Sequence, residues 1–534
     1  IDSLELPQSD KEKIYSKNEI LTMYLNTISF GNNAYGIRIG AKRYFNTIPS
    51  KLTLNQSAIL VGMLKATSYY NPILYPQRVK NRRNVVLSQM LKYNFITKEE
   101  YNNAINSDLN INFTVEDQEN IPVGGYFRNA VATYLKEHGH NVYTDGLIIY
   151  STLNYKMQLH AENTIKEYMK KLQKKFNRHW GKKNPWVNDN EEEIPNYINN
   201  IITKTQMYKQ LQQTYKNQYA IINKYINTPK KTSVFSYNGI KDTFISPFDS
   251  VAYFRRFLQT GFVSINPYNG HILTWVGGIN YKFFKYDNVK QSKRQPGSTF
   301  KPFVYTTAID SFNYSPCDKL VDKPITINYI ENGEKKSWSP HNADWENTNR
   351  EMTFREALAK SINSIAAQLT EIVTPEAIII YAKRMGIKSK LKPVPSIGLG
   401  SNEVSLLEMV ASYCTFLNDG YYIDPLPVKT IYDNNRKLLK KFYPVKKRAI
   451  SPETAFLMTY MLKGGIEIEG GTSQALFEFD LFKNGNEIGG KTGTSSDYSD
   501  AWFIGFTKDI VAGVWVGGIE RCIRFRKSER AEGA

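Results

Sequence analysis

Apolar positions in the first hundred residues recur at helical spacing. Leu52–Ala66 carries one such face, and Arg78–Tyr93 carries another after a proline-containing loop, so residues 17–105 are predicted to be helical. Thr97, followed by Glu99 and Glu100, marks a further helix start. Beyond it the pattern predicts a helix near Tyr126–Glu137, an alternating stretch at Gly146–Leu153 and a long basic helix over Tyr155–Phe176. The acidic loop Asn188–Glu193 and a Gln- and Tyr-rich helix through about Met207–Ile226 follow. From Val251 the period changes to two. Gly261–Asn266 and His271–Val276 read as strands around the turn Pro267–Gly270. Helices come next, at about Ser298–Ile309, Thr353–Ile372, Pro375–Met385, Val404–Phe416 and Pro452–Leu462. Two final strands, Asp500–Phe506 and Ile510–Gly517, return the chain to a sheet. Strands, then helices, then strands that complete the same sheet give an α/β sandwich.

Length divides this pattern into parts. At roughly 100–200 residues per domain, 534 residues make about three domains. The boundaries fall at 1–105 (helical), 106–250 (a connecting module without visible chemistry) and 251–534 (the α/β part). Hydrophobic residues at 41% and charged residues at 22% describe a globular chain. The 69 Lys and Arg against 50 Asp and Glu leave a formal charge of +19. Part of the excess clusters at Lys170, Lys171, Lys174, Lys175, Arg178, Lys182 and Lys183, which suits a solvated helix face or an anionic surface. No zinc-finger, RRM or KH signature points to nucleic acid. Cys317, Cys414 and Cys522 lie far apart, which excludes a disulfide framework or zinc knuckle on spacing. The six histidines show no ligand spacing, so no metal site is expected. No apolar run reaches the length of a membrane span, and no signal peptide opens the chain. An Ile at the start and a bland Ala-Glu-Gly-Ala at the end read as a piece truncated at both ends.

Three short motifs carry chemistry, in order: Ser298-Thr299-Phe300-Lys301, Ser361-Ile362-Asn363 and Lys491-Thr492-Gly493. A serine needs a base to become nucleophilic. A lysine three residues on along a helix shares its face and can take the proton if burial and a nearby cation depress its pKa. Lys491 supplies such a cation. Ser361 offers a hydroxyl for proton relay, and Asn363 an amide for the substrate backbone. Gly493 on an edge strand leaves room for a substrate chain. Each motif alone is weak: Ser389–Lys392 is a second S-x-x-K, placed in a polar loop, and S-x-N recurs at Ser16, Ser236, Ser264 and Ser311. Order and context carry the weight. The first motif opens an apolar helix, the second sits within a helix, and the third precedes a strand hairpin, which is the signature of penicillin-recognising serine enzymes.

The stretch Arg294–Pro302 resembles the active-site segment of class A (bifunctional) penicillin-binding proteins. Lys491–Thr494 with Asp500–Phe506 resembles that family's closing hairpin, and Gly146–Leu153 its approach to the transpeptidase region. Independently, Ser16–Leu21, Tyr24–Asn26, Phe30–Asn32, Ala34–Gly36, Asn71-Pro72 and Arg82–Leu87 resemble the last two blocks of the glycosyltransferase family 51 domain, which polymerises lipid II. The resemblance implies a multi-domain α/β protein: a transpeptidase with an antiparallel sheet sandwiched by helices, preceded by a partial lysozyme-like helical domain. It implies serine DD-transpeptidation of stem pentapeptides and β-lactam binding. Ser298 would be the nucleophile, Lys301 the base and Ser361 the relay to the leaving D-alanine. The N–H groups of Ser298 and Thr494 would form the oxyanion hole, and Lys491, Thr492 and Thr494 would hold the terminal carboxylate. Lys17, Asn26, Arg82 and Arg83 would shape an anionic substrate surface. Transpeptidation needs no cofactor, whereas the parent's glycosyltransferase could use a divalent metal. The implied partners are stem peptides, lipid II, β-lactams and, through an N-terminal anchor, the periplasmic face of the bacterial cytoplasmic membrane.

The match departs from the family in places. The two catalytic glutamates should precede residue 12, and Ile1–Lys11 holds no segment resembling their blocks; Thr67 stands where the family has proline. Absent glycosyltransferase activity is therefore expected of this chain. Ser-Ile-Asn in place of Ser-Asp-Asn favours a penicillin-binding protein over a β-lactamase. The motifs leave open a DD-carboxypeptidase or lactamase-type hydrolase, which shares the acylation half, and a penicillin-sensing module without enzymatic activity.

Overall fold

The structure, a computed structural model, describes residues 16–32, 34–113, 123–343, 345–495 and 497–526. It divides into two compact units, the first built mainly from residues up to 122 with 132–148 and 433–437, the second from the remainder.

The first unit is helical. Its helices are α1 (Lys17–Thr27), α2 (Ile37–Phe45), α3 (Leu54–Met63), α4 (Pro76–Lys92) and α5 (Lys98–Asn106). Three of them start at capping boxes. Ser16, Thr53 and Thr97 accept from the N–H three residues on, while Glu19, Gln56 and Glu100 reach back to the cap N–H. Phe30, Tyr44, Ile59, Leu60, Met63 and Val79 form its core, and Ala58, Leu87, Ile96 and Ala104 form a second cluster.

The second unit is built on one five-stranded antiparallel sheet. Its strands are β1 (Gln259–Ile265), β2 (Ile272–Val276), β3 (Gly489–Thr494), β4 (Asp500–Phe506) and β5 (Val511–Gly517), in the order β3-β4-β5-β1-β2. Burial alternates along β5, so its two faces meet different layers. On one face Gly513 admits helix α10 (Leu406–Leu417); a Cβ there would lie 2.3 Å from Val410 Cγ2. On the other, Met169, Phe176 and Trp180 of helix α6 (Tyr155–Trp180) join Leu258, Ile279, Phe284 and Ile523, with Val516 packed against them. Helices on both faces make the sandwich read from the sequence. The edge at β2 is covered by α6: the Gln158 amide receives Trp275 N–H at 2.7 Å and donates to Trp275 O at 2.9 Å. This imitates a strand partner and blunts the edge.

The helical layer that carries the site comprises α7 (Lys301–Phe312), α8 (Phe354–Ala359), α9 (Asn363–Val373) and α11 (Pro452–Glu467). Two sequence expectations change here. Gly297–Phe300 is a turn of 3₁₀ helix, with α7 starting at Lys301. The helix expected over Thr353–Ile372 is two helices, broken between α8 and α9, because Ser361 takes a left-handed conformation with φ of 59°. Ser361 and Ile362 of the motif therefore lie in the break between the two helices, and Asn363 opens α9.

Candidate active site

Gly297, at φ of +54°, turns the chain and opens the 3₁₀ segment Gly297–Phe300, in which Ser298 is the second residue. Tyr413, wholly buried, donates its hydroxyl to Thr299 O at 2.6 Å, and Thr299 Oγ1 donates to Pro296 O at 2.7 Å. These bonds fix the turn that holds the serine. β3 lies directly against it: a Cβ on Gly297 would meet Thr494 O at 2.5 Å, and one on Gly493 would meet Pro296 O at 2.4 Å. The room at Gly493 is thus filled by the serine's own loop rather than kept for a substrate chain, which corrects the sequence reading of that glycine.

Lys301 and Lys491 are both buried. Lys301 Nζ donates to Ser361 O at 2.5 Å, to Asn363 Oδ1 at 2.7 Å and to Ser361 Oγ at 3.2 Å. The left-handed turn at Ser361 is what aims its carbonyl at the lysine. Burial, reinforced by the cation of Lys491, pushes the Lys301 amine well below its ordinary range. Burial alone lowers Lys491 to about 7. Along β3, Lys491 and Gly493 face one side, and Thr492 and Thr494 alternate to the other, with Thr494 exposed at the strand end. Sequence reasoning placed Ser298, Lys301, Ser361, Asn363, Lys491, Thr492, Gly493 and Thr494 in one site, and the structure brings the three segments that carry them together.

The groups that hold these parts were not singled out. Arg294 Nε donates to the fully buried Asp500 at 2.6 Å, its ring-stacked guanidinium lies 5.1 Å from the Trp515 ring centre, and Nη2 donates to Gly518 O at 3.1 Å. Arg294 and Asp500 both fall in segments quoted for the resemblance, so that signal existed. Asp322 and Asn342, which brace the S-x-N turn, lie in no motif. Ser389, expected alone in a polar loop, is buried between Lys293 Nζ at 2.6 Å and Glu408 Oε2 at 2.7 Å.

In the first unit the four residues expected on a substrate surface part company. Lys17 and Asn26 are exposed on α1, and Arg82 is half-buried, 5.9 Å from the Tyr70 ring centre. Arg83 is fully buried. It donates to Asn55 Oδ1 at 2.9 Å, Ser107 O at 2.8 Å, Ile105 O at 2.9 Å and Asn84 Oδ1 at 2.9 Å. Its guanidinium staples α4 to the end of α5 and faces no substrate. Among the described residues there is no group of three or more His, Cys, Asp or Glu placed to hold a metal ion.

A buried lysine pair, a serine at a helix start and an adjacent glycine-bearing edge strand define a penicillin-recognising serine acyltransferase. The penicillin-binding protein transpeptidase domain family matches residues 260–519, the penicillin-binding protein middle domain 181–258 and the transglycosylase family 7–91. Penicillin-binding protein 1A of Aquifex aeolicus is 31% identical over 521 residues, covering 95% of this chain and 68% of that protein. The Neisseria flavescens protein of the same description is 28% identical, covering 95% and 66%. The chain thus spans about two thirds of the length of these relatives. The crystal structure of penicillin-binding protein 1A from Haemophilus influenzae superposes with a TM-score of 0.63 at 25% identity, over 96% of this chain and 83% of that one. The chain belongs to the class A, bifunctional penicillin-binding proteins. One expectation is overturned: glycosyltransferase activity was expected to be absent, yet a transglycosylase domain is matched from residue 7 onward. That expectation rested on where the chain begins, which carries no information about the domain's capacity.

Proposed function

We propose that this chain cross-links peptidoglycan by serine DD-transpeptidation in its second unit, and that its transglycosylase domain polymerises lipid II. The three-part division at 105 and 250, with a connecting module between the two activities, belongs to the same reading. Ser298 Oγ attacks the carbonyl of the penultimate D-alanine of a stem pentapeptide. Lys301, held neutral-prone by burial and by Lys491, takes the serine proton. The N–H groups of Ser298 and Thr494 would form the oxyanion hole, a role supported by the contact between the serine's turn and the end of β3. Ser361 Oγ, beside Lys301 Nζ, passes a proton to the leaving D-alanine. Thr492 and Thr494, on one face of β3, receive the terminal carboxylate, and cationic Lys491, on the other face of the strand, supplies the charge that attracts it. Asn363 holds the donor's backbone, and an amine of a neighbouring stem resolves the acyl-enzyme. No metal or cofactor enters this chemistry. β-Lactams would acylate the same serine, and the protein would work at the outer face of the cytoplasmic membrane.

The observation that carries this reading is the three-pronged grip of Ser361 and Asn363 on Lys301 directly beside the K-T-G strand. The test is intact mass after incubation with benzylpenicillin, alongside Ser298→Ala. A long-lived adduct on the wild type alone is expected. Equal labelling of the alanine variant, or no adduct at all, would overturn the reading. Rapid release of the adduct would point to a hydrolase.

A further inference from the structure

Helix α9 begins at Asn363 behind Ile362, whose side chain has no oxygen with which to cap it. The cap comes from elsewhere. Asn342 Oδ1 accepts from the N–H groups of Asn363 at 2.9 Å and Ser364 at 3.2 Å. An asparagine can do this only with its oxygen turned toward the helix, and here the other end of the amide is claimed. Asn342 Nδ2 donates to Asp322 Oδ1 at 2.9 Å and to Glu346 O at 2.9 Å.

Asp322 is completely buried, and none of its hydrogen-bond partners among the described residues is a cation. Instead it accepts from Ser364 Oγ at 2.6 Å, Thr348 N at 2.8 Å, Thr348 Oγ1 at 2.9 Å and Asn347 Nδ2 at 2.9 Å, besides Asn342. Burial pushes its carboxyl up, but the bonds from Ser364, Thr348, Asn347 and Asn342 outweigh that and hold it well below the usual range. A carboxylate accepting from three neutral side-chain types and a backbone N–H is a fixed anion around which a loop is wound.

The residue before Asn342 completes the link to the chemistry. Asn363 Nδ2 donates to His341 O at 2.7 Å, while its Oδ1 accepts from Lys301 Nζ. Residues 341 and 342 therefore set both the backbone and the side-chain amide of Asn363. We propose that Asn342, oriented by Asp322, is a positioning residue for acylation: it caps the helix that carries Asn363 and so holds the Ser361–Asn363 turn against Lys301. The inference rests on the reading of Ser298 and Lys301 as the acylating pair.

The test measures acylation by a fluorescent penicillin, separating the non-covalent dissociation constant from the first-order step. In Asn342→Ala the first-order step should fall by about tenfold, the rate equivalent of a lost helix cap. The dissociation constant should stay within about threefold. The pH profile distinguishes positioning from mere loss of structure. Ser361 and Asn363 stabilise the ammonium form of Lys301, so loosening them lets the proton leave at lower pH. The acidic limb of the rate profile should then move to lower pH. Lys491 faces Lys301 from β3, and Asp322 stands behind Ser364; the substitution keeps both charges. Asp322→Asn, which retains an oxygen for some of the donors, should fall between wild type and Asn342→Ala, and it serves if the alanine variant does not fold. An unchanged first-order step would overturn the proposal. So would fewer acylatable molecules with an unmoved pH limb in the remainder. If wild type and Ser298→Ala label alike, the acylation reading itself fails; if only wild type labels and Asn342→Ala matches its rate, the positioning role alone fails.

Discussion

Arg294 and Asp500, 206 positions apart, meet at 2.6 Å in the interior, and the pair joins the approach to Ser298 to the strand after the K-T-G segment. Trp515 Nε1 at 2.9 Å and Ser499 Oγ at 2.8 Å also donate to this carboxylate. Removing the arginine would leave a buried anion without the one cation paired with it among the described residues, a loss of about 3–5 kcal/mol. Arg294→Met should therefore lower the urea midpoint of the second unit markedly. Asp500→Asn, which leaves no uncompensated anion, should cost less. Equal, small effects of both in chemical denaturation would show that the pair contributes little.

Lys491 imposes a pH dependence. Its amine, lowered to about 7, is cationic only below that pH, so carboxylate binding should weaken as pH rises through about 7. Non-covalent affinity for a penicillin, measured across that range, should decline on the alkaline side. A flat profile would deny Lys491 the anchoring role.

The same burial has an opposite effect on stability. Between about 7 and the unfolded value of 10.5 the unfolded chain holds a proton that the folded chain has lost, so stability rises with pH. At neutral pH the buried amine costs on the order of 4 kcal/mol relative to an unshifted lysine. Lys491→Met should therefore raise the melting temperature at pH 7 while abolishing penicillin acylation. A lower melting temperature would contradict this.

At Gly493 an added methyl group would meet Pro296 O at 2.4 Å and Thr299 N at 3.0 Å, both backbone atoms of the nucleophile's turn. Gly493→Ala must push that turn off β3. Acylation should slow by more than about tenfold, with overpacking costing about 1–3 kcal/mol. Kinetics and thermal melting of the variant read the two effects separately.

Arg83→Met should act only on the first unit. Four acceptors, Asn55 Oδ1, Asn84 Oδ1, Ile105 O and Ser107 O, would lose their donor. Hydrogen exchange should accelerate in α4 and α5, while penicillin acylation stays within about twofold of wild type. Protection unchanged in α5 would mean the staple is dispensable.

What was legible in the sequence was local. Ser298 and Lys301 sit one helical turn apart, and Lys491–Gly493 precedes a strand pair, so the order and local context of the motifs exposed them. Period-two stretches around 261–276 and 500–517 likewise gave the strands of the central sheet. The braces were hidden because they act across long separations: Asp322 to Ser364, Arg294 to Asp500, Gln158 to the edge of β2. Arg83 misled for a related reason. A charged side chain reads as surface unless its partners are known, and two of those partners are backbone carbonyls that no sequence pattern displays. The break at Ser361 escaped because the residues on either side keep helical spacing, and just two residues, left-handed Ser361 and extended Ile362, interrupt them.

That turn has a consequence for how such a protein changes over generations. Glycine and asparagine visit the left-handed region with least strain, and serine does so at a cost. Drift toward either is the mutationally easy direction, and it would yield a chain that folds at least as readily. Each such step would also discard the hydroxyl beside Lys301. Ser361 is thus a position where foldability and catalysis pull apart, and where only purifying selection on the reaction keeps the harder residue in place.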